Sequence, residues 1–302
     1  MASVSVVPVA ASASAPAVPA VRASVVTSGV AVKLRGFVAF LAAVIGLPLG
    51  AAVAQPSSIG SEAAGPPPKD WTFDVGPGVV TAPWFEGSAY YRVLPIPNLD
   101  LRYRRDKVFI SARDGVGATL LEGDGFKLGP ILRYRFARND WDGPGLYGMG
   151  GVPFTVEGGG FARYDLPFLS AKVEVRRGLG GSNGLVFDAL LDGKLRLADN
   201  FFLSGGPRLS VTDSTFNQAY FGVNYNQSQA SGYAQYYPGA GLRSVGLGTS
   251  AVWRITDQLN AVAFGAWNRL TDVAAASPIV TGPYGSPNSF VVGGAVSWRF
   301  SW

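Results

Sequence analysis

The stretch Phe290-Val-Val-Gly-Gly-Ala-Val-Ser-Trp-Arg-Phe-Ser-Trp302 separates into two faces when it is read at every second residue. Successive side chains of a β-strand point to opposite sides, so this period predicts a strand. A membrane-barrel strand has this composition because its outer face meets lipid and its aromatic residues lie at the water interface. An ordinary edge strand is the alternative. One face carries Val292, Gly294, Val296, Trp298, Phe300 and Trp302, and the other carries Val291, Gly293, Ala295, Ser297, Arg299 and Ser301.

An alternating last strand with a terminal aromatic residue is also what the barrel assembly machinery of the outer membrane accepts. We therefore expect Trp298, Phe300 and Trp302 to form the assembly signal. Most such strands end in Phe, so Trp302 is a mild departure from the pattern.

Other segments show the same two-faced pattern, with charges on one face and apolar residues on the other. A soluble barrel points the apolar face inward, whereas a membrane barrel points the charges into the lumen. The signal-like leader and the aromatic terminus favour the membrane orientation. These charges then either line a conducting pore or form a paired network in a blocked lumen. The predicted lumen charges are Arg102, Arg104, Arg133, Arg135, Lys172, Glu174, Arg176, Asp188, Asp192, Lys194 and Arg196.

The fold class predicted by these alternations is all-β, a transmembrane antiparallel barrel of about twelve strands, with ten as the alternative. We see no helix-period segment of useful length, so residues 71–302 form one domain. Residues 81–93, 138–153, 225–238 and 271–289 are the expected long loops, where binding sites concentrate. The predicted strands are 71–80, 94–104, 107–118, 125–137, 154–164, 168–178, 185–198, 201–212, 217–224, 239–255, 258–270 and 290–302.

The composition excludes several classes of function. The chain has 302 residues, no His and no Cys, and only 15% charged residues against the ~25% typical of soluble domains. Without His, the usual general base and metal ligand are absent, and without Cys there is no thiolate metal site. We therefore predict no catalytic residue, no cofactor and no metal. Asp188 and Asp192 lie four strand residues apart, about 13 Å, which is too far for an acid–base dyad.

The N-terminal region has the layout of a secretory signal. Lys33 and Arg35 precede an uncharged run from Gly36 to Ala54 that ends in small residues. We expect a signal peptide with a long disordered leader at 1–54 and a periplasmic Pro/Ser/Gly-rich linker at 55–70. An uncleaved helical anchor is the alternative, which Pro48 argues against. Without residues 1–54 the net charge falls from +5 to +2, so nucleic acid is not an expected partner.

Several motifs, in order from about Trp71 to the last residue, resemble the MipA/OmpV family of outer-membrane proteins. The likeness begins with the family's first signature, which is similar to Gly76-Pro-Gly78-Val-Val-Thr-Ala-Pro83-Trp-Phe85-Glu86-Gly87-Ser88. Within this segment, the Trp84-Phe85 pair departs from the family's signature. The likeness continues at Leu128-Gly-Pro-Ile-Leu-Arg-Tyr134, Tyr220-Phe-Gly-Val223 and Tyr237-Pro-Gly-Ala-Gly-Leu242.

This resemblance implies a non-catalytic barrel in the outer membrane of a Gram-negative bacterium, in contact with lipid. One member type is a scaffold that brings a membrane-bound lytic transglycosylase together with a bifunctional penicillin-binding protein. Others are described as porin-like channels for ions or small solutes, or as adhesion-related surface proteins. The motifs do not distinguish these roles.

The most distinctive loop is Pro83, Trp84, Phe85, Glu86 and Gly87. It either presents aromatic anchors to a partner or folds over the barrel mouth and closes it. The same two interpretations apply to Ser277-Pro-Ile-Val280. Packing at the mouth is the favoured interpretation of both segments.

Overall fold

A computed structural model describes residues 69–104 and 106–302 of the chain, and antiparallel strands dominate it. The predicted signal peptide at 1–54 lies outside the described residues, as does the predicted linker except for Lys69 and Asp70. Both of those residues are exposed and directly precede the first strand.

Thirteen strands in the described residues form one closed ring. Sequence neighbours other than β4 and β5 pair with each other, β1 pairs with β13, and β4 pairs with β6, which closes the sheet. β5 continues the position of β4 along β6, so the ring has twelve wall positions and the predicted barrel is confirmed. The strands are β1 (Trp71–Pro83), β2 (Tyr91–Tyr103), β3 (Val108–Ser111), β4 (Gly115–Ala118), β5 (Leu121–Gly123), β6 (Phe126–Arg135), β7 (Thr155–Asp165), β8 (Leu169–Gly180), β9 (Leu185–Ala198), β10 (Phe201–Thr212), β11 (Gly241–Arg254), β12 (Leu259–Leu270) and β13 (Asn288–Ser301).

The prediction of a single strand at 107–118 is wrong, because the chain turns back within it. β3 and β4 are two short strands joined at 112–114 and paired to each other. Asp114-Gly115 is a typical turn dipeptide, and Gly115 has φ +85°, where glycine is strongly favoured. A Cβ on this residue would lie 2.3 Å from the carbonyl oxygen of Leu132.

The prediction of a strand at 217–224 is also wrong, because a helix occupies this segment. Helix α1 spans Ser214–Phe221, and the carboxylate of Asp213 caps it by accepting a hydrogen bond from the Phe216 amide at 2.8 Å. The rings of Phe216 and Tyr220, one helical turn apart, pack 4.6 Å from each other. Asp213 is a typical N-cap residue, and the spacing of Phe216 and Tyr220 suits a helix as well as a strand, since residues four apart share a face in both.

The side chains of β13 have the orientation that the sequence predicts. Val292 and Trp298 are 61% and 51% exposed on the outer face, whereas Val291 and Ser297 are 2% and 1% exposed inside the barrel. The other strands alternate in the same sense. The apolar face therefore surrounds the barrel as its outer surface.

The two ends of the barrel differ. Segments 84–90, 136–154, 213–240 and 271–287 all follow strands that run in the same direction, so they lie together at one end, which we call the loop end. The opposite end, which we call the turn end, has short connections and also holds Lys69 and Trp302. Barrels of the outer membrane have short periplasmic turns and longer extracellular loops, so we expect the loop end to face the outside of the cell.

Short helices occur only in the loop-end segments of the described residues. Besides α1, they are α2 (Tyr225–Ser231), α3 (Asp272–Ala275), α4 (Pro278–Thr281) and a 3₁₀ turn at Pro144–Leu146. None of the helices in the described part of the chain is long and apolar enough to cross a membrane.

Charge on the outer face is expected to destabilise the barrel according to depth. Val173 lies near the middle of β8, and Leu179 lies near its loop end beyond the outward-facing Arg177. We expect Val173→Arg to lower the free energy of unfolding in phospholipid vesicles by about 2–4 kcal/mol, and the matched control Leu179→Arg by about 0–1 kcal/mol. Urea titrations of both variants measure this difference. Equal small losses would show that the outer face does not meet hydrocarbon.

Candidate functional site: the capped lumen

The four long loops of the loop end pack against one another over the barrel mouth. Each supplies apolar side chains to a common cap, whose larger buried residues are less than 8% exposed. Two clusters make up this cap: Val152, Val186, Phe216, Tyr220, Phe221, Leu270, Ala274 and Val280 form one, and Phe85, Leu146, Met149, Val223 and Ile279 form the other.

The predicted mouth loop lies inside this cap. Phe85 is 2% exposed, and the indole of Trp84 donates a hydrogen bond to the carbonyl of Tyr91 at 3.0 Å. Pro83 and Gly87 are buried, and the carboxylate of Glu86 pairs with Arg243. This placement matches the mouth-closing interpretation, because Phe85 cannot contact a partner unless the cap opens.

The segment beginning at Ser277 is also packed into the cap. The Ser277 hydroxyl donates a hydrogen bond to the carbonyl of Phe221 at 2.6 Å. Ile279 and Val280 are buried in the two clusters. The roles predicted for this segment and for the mouth loop stay predictions.

Arg138 ties segment 136–154 to the end of helix α1. Its guanidinium donates to the carbonyls of Tyr220 at 2.6 Å and Ala219 at 3.3 Å, which the helix end leaves without helical partners. Burial lowers the pKa of Arg138 to about 10, so the side chain is still a cation at neutral pH. The loop and the helix are therefore joined by a buried charge.

Below the cap, a network of ion pairs runs along one side of the lumen around Glu174. This carboxylate is 1% exposed and accepts hydrogen bonds from Arg133 at 2.7 and 2.8 Å. Lys172 lies 2.7 Å from it, and Arg176 also pairs with it. One carboxylate thus neutralises part of the charge of three cations that come from two strands.

The network continues toward the mouth through Arg176. Its guanidinium reaches Glu157 at 3.0 Å and Asp188 at 2.5 Å, and Glu157 also accepts from Arg135 at 2.9 Å. The hydroxyl of Ser210 donates to Asp188 at 2.6 Å. Strands β6 to β10 are therefore linked along the inner wall by charged and polar side chains as well as by their backbone ladders.

A second group of ion pairs lies toward the turn end. Arg102 contacts Asp100 at 2.6 Å, Asp106 at 2.5 Å and Asp114 at 2.7 Å. Lys127 lies 3.3 Å from Asp106. Buried charges are tolerated only when they are paired and hydrogen bonded, and this group meets that condition.

Of the eleven predicted lumen charges, nine lie inside the barrel, and Arg104 and Arg196 lie at the exposed rim of the turn end. Arg104 pairs with Asp70, and Arg196 pairs with Asp199. Sequence reasoning missed Asp106, Asp114 and Lys127 of the Arg102 group. It also missed Glu157, Arg208 and Arg243, which have the inward parity of their strands but lie among glycine and serine rather than in a run of charges. The pore-lining role of the predicted set stays a prediction.

Toward the loop end, the lumen wall opposite the Glu174 network is apolar. Strands β1, β2, β12 and β13 contribute a cluster in which Val80, Ala82 and Val291 are less than 5% exposed. Leu94, Ile96 and Phe264 pack against it. In this half, the interior therefore has an ionic side and an apolar side.

A cavity of about 170 Å³ lies between the cap and the ion pairs. Six arginines and four carboxylates line it, together with residues of β6 and of β8 to β13. The arginines are Arg113, Arg133, Arg135, Arg176, Arg208 and Arg243, and the carboxylates are Glu86, Glu157, Glu174 and Asp188.

This arrangement is suited to binding charge. Asp188 and Asp192, which could in principle serve as acid and base, are each paired with an arginine instead, Arg176 and Arg208. In residues 69–104 and 106–302, no group of three or more Asp or Glu side chains has the geometry of a metal site. The lumen holds fixed, hydrogen-bonded charges, with more arginines than carboxylates around the cavity.

A closed barrel with an apolar outer surface and an ionic interior defines an integral outer-membrane protein. A family model described as MltA-interacting protein MipA matches residues 75–300. The chain therefore belongs to the MipA family, as its motifs predict, and its location is the outer membrane of a Gram-negative bacterium.

Solved outer-membrane barrels are similar to this chain at low identity. The outer membrane channel from Pseudomonas putida F1 is 10% identical with a TM-score of 0.43, over 81% of this chain and 100% of that chain. The NanC porin is 10% identical with a TM-score of 0.38, over 76% and 100% of the two chains. The CymD monoaromatic hydrocarbon channel is 11% identical with a TM-score of 0.37, over 78% and 89%. No curated protein matches the chain.

Removing one charged partner from the buried network should lower the free energy of unfolding far more than removing one from an exposed ion pair. Glu174→Ala leaves Arg133, Lys172 and Arg176 without their shared carboxylate, so we expect a loss of about 3–5 kcal/mol in the free energy of unfolding. The matched control Glu122→Ala breaks an exposed pair with Lys107 and should cost less than about 1 kcal/mol. Urea unfolding in vesicles compares the two. Losses of similar size would show that water reaches Glu174 freely.

Proposed function

We propose that this protein is a closed, non-catalytic barrel that acts in the outer membrane as a docking partner for a lytic transglycosylase. The description of its family names MltA as an interacting protein, which supports a cell-wall lytic enzyme as the partner. A bifunctional penicillin-binding protein is the second proposed partner, as the family resemblance implies.

The observation that carries this proposal is the obstruction of the lumen. Asp192, Glu174 and Arg176 lie inside the barrel at 0%, 1% and 3% exposure, and the cap packs over the mouth. Conduction needs a continuous path for ions that are bound weakly enough to leave. A lumen filled with tightly paired side chains favours a static barrel whose function lies on its surface.

The turn end is the proposed docking surface, because short turns face the periplasm in barrels of this class. Exposed charges line its rim, including the pairs Arg104–Asp70, Lys107–Glu122 and Arg196–Asp199. The Phe85 loop lies at the opposite end, so a periplasmic enzyme would not meet it. Electrostatic complementarity with a charged partner guides association at such a surface.

A narrow channel is the second candidate function, and the cavity beneath the cap favours it. Its cationic excess would select anions if the cap and the ion pairs opened together. Porin-like conduction thus requires a rearrangement of the packed interior, whereas docking requires none.

Recordings in planar bilayers should separate the two functions. We expect the purified full chain to give no steady conductance, since paired side chains fill the lumen. A general porin inserted in the same bilayers serves as the positive control. Steady, ohmic conductance of the wild-type chain would contradict the closed barrel and support the channel.

Capture experiments should locate the docking surface. We expect immobilised full chain in mild detergent to retain a purified lytic transglycosylase, and the double variant Lys107→Glu/Arg196→Glu at the turn end to weaken retention about tenfold or more. The matched control Arg177→Glu/Arg269→Glu makes the same charge change toward the loop end and should retain the enzyme like the wild type. Failure of the wild type to retain the enzyme would remove the docking proposal.

A further inference from the structure

The barrel wall has a gap between β2 and β6 in its loop-end half. β3 pairs with β2 only along Asp100 to Tyr103, so within the described residues no strand pairs with the upper part of β2, residues 91–99, on that side. β4 pairs with β6 only at Ile131 and Leu132. The β3–β4 turn at 112–114 forms the lower border of the gap.

The exposed edge of β2 lacks donors at two consecutive positions within the gap. The amide of Ala112 donates to the carbonyl of Leu99 at 2.8 Å, so the peptide groups of the odd-numbered residues of β2 point toward the gap. Pro95 and Pro97 occupy this edge just above Leu99 and have no N–H. Unpaired N–H groups are costly in hydrocarbon, and proline is confined to edges that no other strand covers. The sequence therefore suits an edge that stays open.

The lumen cavity reaches this gap. Ala112, Arg113 and Gly115, at the β3–β4 turn, line the same cavity as Arg133 and Arg135 of β6. The cavity therefore extends to the lower border of the gap. The hydroxyl of Tyr134 donates to the carbonyl of Ala112 at 3.3 Å, across the lower border.

The border of the opening carries a cation with unused hydrogen-bonding capacity. The Nε of Arg113 is buried and has no hydrogen-bond partner in the part of the chain that the structure describes. The cavity behind it holds six arginines against four carboxylates. Above the border, Leu94 and Ile96 on the inner face of β2 belong to the apolar wall. The opening therefore offers a cationic surface to an anionic group and an apolar surface to a hydrocarbon chain.

We propose that this lateral opening binds a single-chain amphiphile with an anionic head group, taken from the outer half of the membrane. The head group lies beside Arg113 and accepts the hydrogen bond that its Nε leaves unmade. The hydrocarbon chain leaves the barrel between β2 and β6, along Pro95 and Pro97. Binding at this site requires neither conduction through the lumen nor a protein at the turn end.

Matched probes test the chemistry of the site. The full chain in nanodiscs of zwitterionic lipid is titrated by calorimetry with dodecanoate, dodecanol, dodecyltrimethylammonium and acetate, with empty nanodiscs subtracted. We expect dodecanoate to bind about tenfold or more tightly than each of the others, because a charge-assisted hydrogen bond and chain burial both contribute. If acetate bound as tightly as dodecanoate, the hydrocarbon chain would not contribute and the proposed amphiphile would be wrong. If dodecanol bound as tightly, the proposed requirement for an anionic head group would be wrong.

Two variants test the location. Arg113→Ala removes the side chain but keeps the carbonyl that accepts from Arg133 at 2.8 Å, and we expect it to weaken dodecanoate binding about tenfold or more. The control Arg177→Ala, on the outer face of β8, should leave the affinity unchanged. Ala112→Trp narrows the opening and should also weaken binding. Heat-modifiable migration on gels confirms that each variant is folded, and unchanged binding in folded Arg113→Ala or Ala112→Trp would overturn the site.

Discussion

The structure depends on one constraint of the bilayer: backbone N–H and C=O groups in hydrocarbon must find partners within the protein. The ring meets this constraint by closing twice, where β1 joins β13 over the register Thr72–Ser301 to Thr81–Val292 and where β4 joins β6. Within the described residues, the upper part of β2 that no strand covers on one side carries Pro95 and Pro97, which have no N–H to leave unpaired. Closure and its local exception therefore follow from the same physical requirement.

Closure in turn decides where the charges lie. Lipid takes the apolar face, so the ionic side chains converge in a narrow interior, where charges are stable only as hydrogen-bonded pairs. Arg176 forms ion pairs there with Glu174 and Asp188, and Arg208 forms one with Asp192. The apolar wall of β1, β2, β12 and β13 gives the rest of the interior a different character, and the cavity with its lateral opening lies beside both.

The cap completes the interior and connects the fold to function. Its helices are short and are held by local capping, such as Asp213 on α1 and the reciprocal Asn224–Gln227 capping box of α2. The buried residues of α1, α3 and α4 pack against one another and against the barrel rim, over the mouth. A barrel filled with ion pairs and capped in this way has its turn-end rim and its wall opening as surfaces for other molecules.

The sequence by itself determined the barrel, which residues share a face of each strand and nine of the inward charges, because strand alternation is local and a period of two is visible in runs such as Val291 to Ser301. It did not determine the turn within 107–118 or helix α1, where short apolar runs fit more than one period. Only the tertiary structure decided which charges pair, since partners such as Glu86 and Arg243 are 157 residues apart and meet through the register of the intervening strands. The extent of the cap and the opening beside β2 also depended on the tertiary structure, because both arise where elements from distant parts of the chain meet or fail to meet.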